Sequence, residues 1–467
     1  MHIKAHLDVD VVAVDTEDEV SVLVELTAPP APNGTDEAPS PKRTLQVVLD
    51  RSGSMDGGRL AGAITALEAL VDRLDPTDNF GVVAFDNRVE LTVPVGPLTD
   101  KLAVKRAIKG LSARGGTNLS DGYLRGVQEA RRIAGPAGGT VLLISDGHAN
   151  AGITDHERLR GLAAEVRAQS VTTSTLGYGL GYDELLMSAI ARGGSGNALF
   201  AEEPDTAIAL IAGEVEGLLS ETAQAASLMI KLSEHVRTVR VVNDLPTTAT
   251  GEGVVAELGS FYADETRKLL LVFEVPALAA LGLTEVATLE FTYVELPALK
   301  QHTVSVPLHV NVVPGDQAAG RVPDPAVRTE LLYQSVQQAK RRVSEYLGAG
   351  DVDSALTDIH AAQAVVQEAL SSGLSAPLAA DFAEEAKSLE YMLDQTNRGM
   401  TSRAAKYSTM DYTYKTSKRG RTRLPQTMPG SDADPAEPST TSTADPGKSD
   451  TGTSGDTTQN NDAGEGP

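Results

Sequence analysis

Thr44-Leu45-Gln46-Val47-Val48-Leu49-Asp50-Arg51-Ser52-Gly53-Ser54-Met55 is the stretch whose reading decides the architecture. Its first six residues are nearly all apolar, as expected of a strand covered on both faces in a parallel sheet. The strand runs straight into Asp50 and then into a turn carrying Ser52 and Ser54, where Gly53 lets the backbone bend sharply. Ligands of parallel α/β sheets bind beyond the carboxyl ends of the strands, so Asp50 stands where a site belongs. Alternate residues of such a turn can point their oxygens to one side.

Outward from this stretch, residues 44–220 alternate between strand and helix patterns. Apolar runs at Phe80–Phe85, Thr140–Ser145 and Val171–Leu176, with a shorter one at 198–200, read as strands. Helical spacing appears at 59–74, 99–111, 119–133, 156–169, 183–191 and 205–219. That order predicts an α/β unit, a mainly parallel sheet with helices on both sides. Two further segments bring oxygen donors. Arg114-Gly115-Gly116-Thr117 is a tight loop offering a hydroxyl, and Leu142-Leu143-Ile144-Ser145-Asp146-Gly147 is another apolar strand ending in an acid. Asp50, Ser52, Ser54, Thr117 and Asp146 can therefore converge as three hydroxyls and two carboxylates, a donor set for a hard cation. Mg2+ is usually held by one or two carboxylates and keeps several waters. Neutral hydroxyls leave such an ion with residual positive charge that a carboxylate from outside can satisfy.

The sequence Asp-x-Ser-x-Ser, a later Thr in a Gly-Gly-Thr loop and an Asp in a Ser-Asp-Gly strand end resembles the metal-ion-dependent adhesion site of von Willebrand factor type A (VWA) domains, and all five positions match. The resemblance implies a Rossmann-like fold over residues 44–220. It also implies direct ligation of Mg2+, or of Mn2+ or Ca2+, by Ser52, Ser54 and Thr117, with Asp50 and Asp146 acting largely through waters. The implied function is metal-dependent binding of a protein that presents an Asp or Glu, without catalysis. The wider order of elements is similar to bacterial relatives of inter-alpha-trypsin inhibitor heavy chains and calcium-activated chloride-channel regulators.

The flanking segments complete that order. Residues 1–30 carry strand patterns, and Pro29 to Pro41 read as a Pro- and Gly-bearing linker. Residues 224–315 hold six β-type runs, which predict a β-sandwich that the N-terminal strands join. Residues 325–397 read as three helices of a small bundle. Residues 403–467 are expected to contribute no domain. The basic stretch Arg403–Arg423 reads as a solvated linker, and the tail after it, rich in Gly, Ser, Thr, Pro and Asp, reads as disordered.

Composition narrows the function. The net charge of -24 argues against nonspecific nucleic-acid binding, which needs many basic groups to displace counterions. With no cysteine, disulfides, zinc thiolates and a cysteine nucleophile are excluded, and a cytoplasmic location is expected. The sequence shows neither a secretory h-region nor a run of apolar residues long enough to span a bilayer.

Competing readings remain. A phosphotransferase of the haloacid-dehalogenase type would place a second Asp where Ser52 stands, and a serine hydrolase would need a Gly-x-Ser-x-Gly elbow that neither serine has. A scaffold in which metal merely stabilises a loop is the other alternative. His148 reads as a surface loop residue, Arg51 as a solvated side chain or a rim group for an acidic ligand, and 177–182 as a plain turn near the metal face. Asp183 reads as a helix cap, and Ser120 and Asp121 as capping or second-ring groups.

Overall fold

The computed structural model describes residues 1–30, 44–134, 138–202, 204–296 and 298–418. Three strands come first: β1 (His2–Leu7), β2 (Val11–Ala13) and β3 (Asp18–Thr27). The α/β unit then runs β4 (Thr44–Asp50), α1 (Arg59–Arg73), β5 (Asn79–Phe85), β6 (Val89–Pro97), α2 (Lys101–Lys109), α3 (Leu119–Ile133) and β7 (Gly139–Ser145). It continues with α4 (His156–Arg167), β8 (Val171–Tyr178), α5 (Glu184–Gly193), β9 (Ser195–Ala201) and α6 (Pro204–Leu219).

Its six strands are ordered β6-β5-β4-β7-β8-β9. All neighbours run parallel except β6, which pairs antiparallel with β5 at one edge. β4 is central, with Val48 beside Val83 on one side and Leu143 on the other. Its side chains alternate as a strand must: Val48 joins a cluster with Tyr123, Leu159 and Ile190, while Leu45, Val47 and Leu49 join the opposite cluster with Leu67, Ile108 and Leu210. Both faces are thus covered, and this is why β4 reads as continuously apolar.

The helix α3 lies so close to the sheet that it uses glycine at the contact. A Cβ on Gly126 would stand 2.1 Å from Val48 Cγ2. Gly126→Ala should therefore destabilise the protein by about 1–3 kcal/mol through overpacking, although alanine is intrinsically the better helix former. Urea denaturation is the check, and a variant as stable as the wild type would contradict the close approach.

After α6 the chain makes β10 (Glu221–Leu232), β11 (Thr238–Val241), β12 (Thr247–Thr250), β13 (Gly253–Tyr262), β14 (Thr266–Val275), β15 (Gly282–Glu295) and β16 (Lys300–Val313). These form a two-sheet sandwich with the N-terminal strands, in the orders β1-β3-β14-β11 and β12-β13-β10-β15-β16-β2. β3 is central in the smaller sheet, pairing Leu23 with Leu270 of β14, so the chain leaves the sandwich, builds the α/β unit and returns. The sandwich core is aliphatic with a few rings, among them Phe261, Phe273 and Phe291.

A short helix, α7 (Gly315–Ala318), leads to α8 (Pro325–Gly348), α9 (Val352–Ser371), α10 (Ala376–Asn397) and α11 (Thr401–Ser417). The last of these corrects the reading of a solvated basic linker. Lys406 and Lys415 are buried, Tyr407 joins the cluster that contains Tyr123 and Tyr333, and Arg403 pairs with Glu202. Lys406 Nζ donates to the carbonyl of Tyr182 at 2.6 Å, pairs with Glu184 and lies 4.5 Å from the centre of the Tyr182 ring. The end of the basic stretch, 419–423, and the expected disordered tail after it, 425–467, lie outside the described residues. β6 is a strand that the sequence pattern does not predict. Among the described residues no helix is long and apolar enough to cross a membrane.

Candidate metal centre

The tips of β4 and β7 lie side by side in the sheet, which brings Asp50 and Asp146 together from positions 96 apart in sequence. Asp50 is fully buried. Its Oδ1 accepts the Ser52 N–H at 2.7 Å, and its Oδ2 accepts the Ser145 hydroxyl at 2.6 Å. Burial pushes its carboxyl up to about 6, the nearby Asp146 adds to the rise, and the bonds from Ser145 and Ser52 work against it.

Ser54 Oγ donates to Asp146 Oδ1 at 2.7 Å. Ser52 Oγ lies 3.0 Å from Ser54 Oγ. Since the Ser54 proton is committed to Asp146, Ser52 donates to Ser54. Thr117 is buried, and its hydroxyl oxygen stands 3.4 Å from the position a Cβ on Gly147 would take, with Ser54 Oγ 3.3 Å from the same point. Gly147 thus keeps open the space that these two hydroxyls border. Ser54 is exposed, so the cluster reaches solvent through its own members. The structure brings all five candidate residues into one neighbourhood.

A ring of further groups, among which Asp86, Asn87 and Asn150 are not singled out by the sequence pattern, holds the three segments in place. The Gly53 N–H donates to the Gly115 carbonyl at 3.0 Å, and the Arg114 N–H to the Arg51 carbonyl at 2.8 Å, tying the Ser52–Ser54 turn to the Gly-Gly-Thr loop. Asn150 grips Thr117 twice: its Oδ1 accepts the Thr117 N–H at 3.0 Å, and its own N–H donates to the Thr117 carbonyl at 3.1 Å. Asn87 Oδ1 accepts the Gly116 N–H.

Asp86 ties these loops together. It accepts the Arg88 N–H at 2.8 Å, Arg51 Nε at 3.1 Å and Arg114 Nε at 3.0 Å, and its carbonyl accepts the Asn118 N–H. Desolvation opposes its ionisation, but the Arg88 N–H and the two guanidinium groups outweigh this and hold its carboxyl below the usual range. Arg51 is therefore neither solvated nor a rim group. It is buried between Asp86 and Glu90. Short polar residues near glycines were the available signal for Asn87 and Asn150, but the partners come from separate loops and no local pattern joins them.

The other singled-out residues fall around this centre. Asn118, not Asp121, caps α3; it accepts the Asp121 N–H at 3.3 Å and donates to Asp121 Oδ2 at 2.7 Å. Ser120 accepts the Ile153 N–H at 2.9 Å and so braces the loop that bears Asn150. Asp183 caps α5 through the Leu186 N–H. His148 is exposed and lies 3.6 Å from Asp183. The turn at 177–182 passes beside the site, since a Cβ on Gly181 would come within 3.2 Å of the Asp146 carbonyl.

Whether a divalent cation fits is decided by the donors. They are all oxygens, and two buried carboxylates lie beside one another with one of them destabilised as an anion, a condition that a cation relieves. Among the described residues no group of three or more His, Asp or Glu is placed to hold a metal. The hydroxyls must therefore carry much of any coordination, which suits a hard ion that keeps waters.

An α/β sheet of this order, with this oxygen cluster at the strand tips, is the VWA architecture. Residues 45–212 match the family model described as the von Willebrand factor type A domain, and the chain carries that domain. VWA domains commonly mediate metal-dependent protein interactions. An uncharacterised protein of Synechocystis sp. is 27% identical over 327 residues, covering 68% of this chain and 77% of that one. YfbK of Escherichia coli is 29% identical over 196 residues, 41% of this chain and 34% of its own. Human inter-alpha-trypsin inhibitor heavy chain H4 is 27% identical over 191 residues, 38% of this chain and 20% of its own. The chain thus spans about a third and a fifth of the latter two.

Two solved structures share the fold well beyond the VWA domain. One, a von Willebrand factor type A protein from Catenulispora acidiphila, has a TM-score of 0.68 at 16% identity, covering 90% of this chain and 97% of that one. The other, the ArnB paralog VWA2 from Sulfolobus acidocaldarius, has a TM-score of 0.58 at 18% identity, covering 90% and 98%.

Proposed function

We propose that the chain is a divalent-metal-dependent protein-binding module whose ion sits at Asp50, Ser52, Ser54, Thr117 and Asp146. The observation that carries the reading is the convergence of these five oxygen-bearing side chains from two strand tips and one loop. In this reading Ser52, Ser54 and Thr117 hold the ion, and Asp50 and Asp146 act largely through waters, as the likeness to the adhesion site implies. When bound, Mg2+ or Mn2+ supplies residual positive charge that an Asp or Glu of a partner protein can satisfy. The rest of the work belongs to the chain. Asp86, Asn87 and Asn150 fix the Gly-Gly-Thr loop, Ser145 orients Asp50, and the exposed Ser54 gives a partner access.

No catalytic role is assigned. Ser54 donates its hydrogen bond to Asp146, and His148 Nδ1 faces Asp183, so these contacts do not support a Ser54–His148 pair. The absence of cysteine supports a cytoplasmic location.

The test is capture of partners from a lysate by wild type and Asp50→Ala, in Mg2+ and in excess chelator. Proteins held only by the wild type, and only with Mg2+, are the expected result. Equal capture under all four conditions would refute the reading.

A further inference from the structure

Resting on the reading just given, the geometry points to Arg59 as the residue that sets the site's preference for an acidic ligand over tight retention of the ion. Arg59 stands at the start of α1, and its Nη1 donates to Asp146 Oδ2 at 2.8 Å and to the Ser54 carbonyl at 2.9 Å. Asp146 therefore has one oxygen on Ser54 and the other on a guanidinium, while its own side chain is fully buried. The guanidinium is placed through Gly179, whose φ is +73° and where a Cβ would come within 3.0 Å of Arg59 Nε. The side chain of Arg59 is 39% exposed, so the group faces both the buried acid and the solvent from which a partner arrives.

The charge balance gives this contact its consequence. Asp50 and Asp146 cancel a divalent ion between them. The surrounding ring cancels itself, with Arg51 and Arg114 against Asp86 and Glu90. Among the groups bonded to the five oxygen donors and their ring, Arg59 is the one left over, so it adds to the loaded site a positive charge that a neutral side chain at this position would not leave. The same charge repels the ion and shares its Asp146. Arg59 thus lowers the affinity for the metal and raises the affinity of the loaded site for a carboxylate. A guanidinium can also receive that carboxylate through a second N–H.

The experiment titrates Mn2+ into wild type, Arg59→Gln, Arg59→Lys and Asp50→Ala, reading free Mn2+ by electron paramagnetic resonance. N-acetylaspartamide as the α-amide, with its side-chain carboxylate free, is then added to the loaded proteins, reading water-proton relaxation as it displaces bound water. Arg59→Gln is expected to bind Mn2+ about tenfold more tightly and N-acetylaspartamide several-fold more weakly, with Arg59→Lys close to wild type because it keeps the charge. Weaker or unchanged Mn2+ binding by Arg59→Gln would overturn the inference and leave Arg59 as an orienting group for Asp146. Unchanged uptake of N-acetylaspartamide, or Arg59→Lys behaving like Arg59→Gln, would also overturn it. Failure of the wild type itself to bind Mn2+ would instead remove the reading of the site, and the inference with it.

Discussion

Asp50→Ala should abolish the stabilisation that divalent metal gives the wild type while leaving the metal-free protein folded. A ligand that binds only the native state adds RT ln(1 + [L]/Kd), about 2.7 kcal/mol when present at about a hundred times its Kd. Asp50 supplies one of two carboxylates at the candidate centre and orients the Ser52 turn through the Ser52 N–H. Its loss should weaken metal binding by about 100-fold, the upper range for groups that act on an ion through waters.

The metal-free fold tolerates the change because two effects oppose each other. Alanine leaves the Ser52 N–H and Ser145 hydroxyl without their acceptor, at about 1–3 kcal/mol. It also removes a buried carboxyl that burial has already pushed up to about 6. Thermal unfolding with Mg2+ and with chelator, on both proteins, measures the difference. A mutant that gains as much from Mg2+ as the wild type would place the ion elsewhere. Asp50→Asn, which keeps the shape, separates loss of charge from loss of packing.

The candidate centre was legible because its parts are short-range. Asp50, Ser52 and Ser54 lie within five residues, and both acids follow strands whose apolar runs are unmistakable. The same property made β4, β5, β7 and β8 readable: a strand covered on both faces advertises itself in any window. β6 was passed over because it is an edge strand, with Val89, Leu91, Val93 and Val95 alternating with Glu90, Thr92 and the strand-interrupting Pro94.

Charge was the harder signal. Arg51 reads as a solvated or rim side chain and Lys406 and Lys415 as part of a solvated linker, while nothing in the sequence singles out Arg59, because sequence shows the charge and not the counter-charge. Their partners are Asp86, Asp146, Glu184 and Glu385, in other elements and as much as 222 positions away. A local window cannot distinguish a surface lysine from one that is neutralised across the fold, and α11 was missed for that reason.

The network that α11 completes carries the second large expectation: Lys340→Met should destabilise the protein by about 3–5 kcal/mol. Lys340 Nζ, fully buried, pairs with Glu385 and donates to Asp411 Oδ2 at 2.6 Å and Ser388 Oγ at 3.1 Å. Lys415 Nζ lies 2.6 Å from Glu385 and 3.2 Å from Asp411, so two cations face two buried acids across α8, α10 and α11. Methionine fills much of the lysine's volume, and what it removes is the counter-charge, leaving two buried carboxylates to share Lys415.

Lys340→Met with Glu385→Met restores the balance of one cation to one acid and should recover more than half of the loss, as replacement of a whole buried pair usually costs little. Acid sharpens the test. Desolvation would raise the Glu385 carboxyl, but Lys340 and Lys415 outweigh it and hold the group below its ordinary 4.5. A folded value below the unfolded one gives stability that is present above pH 4.5 and lost as pH falls through the folded value. Without Lys340 the folded value rises, so the single variant should begin to unfold at a higher pH than the wild type. Urea midpoints measured across the acid range decide this, and a single variant within about 1 kcal/mol of wild type at neutral pH would show that the three helices hold together without the network.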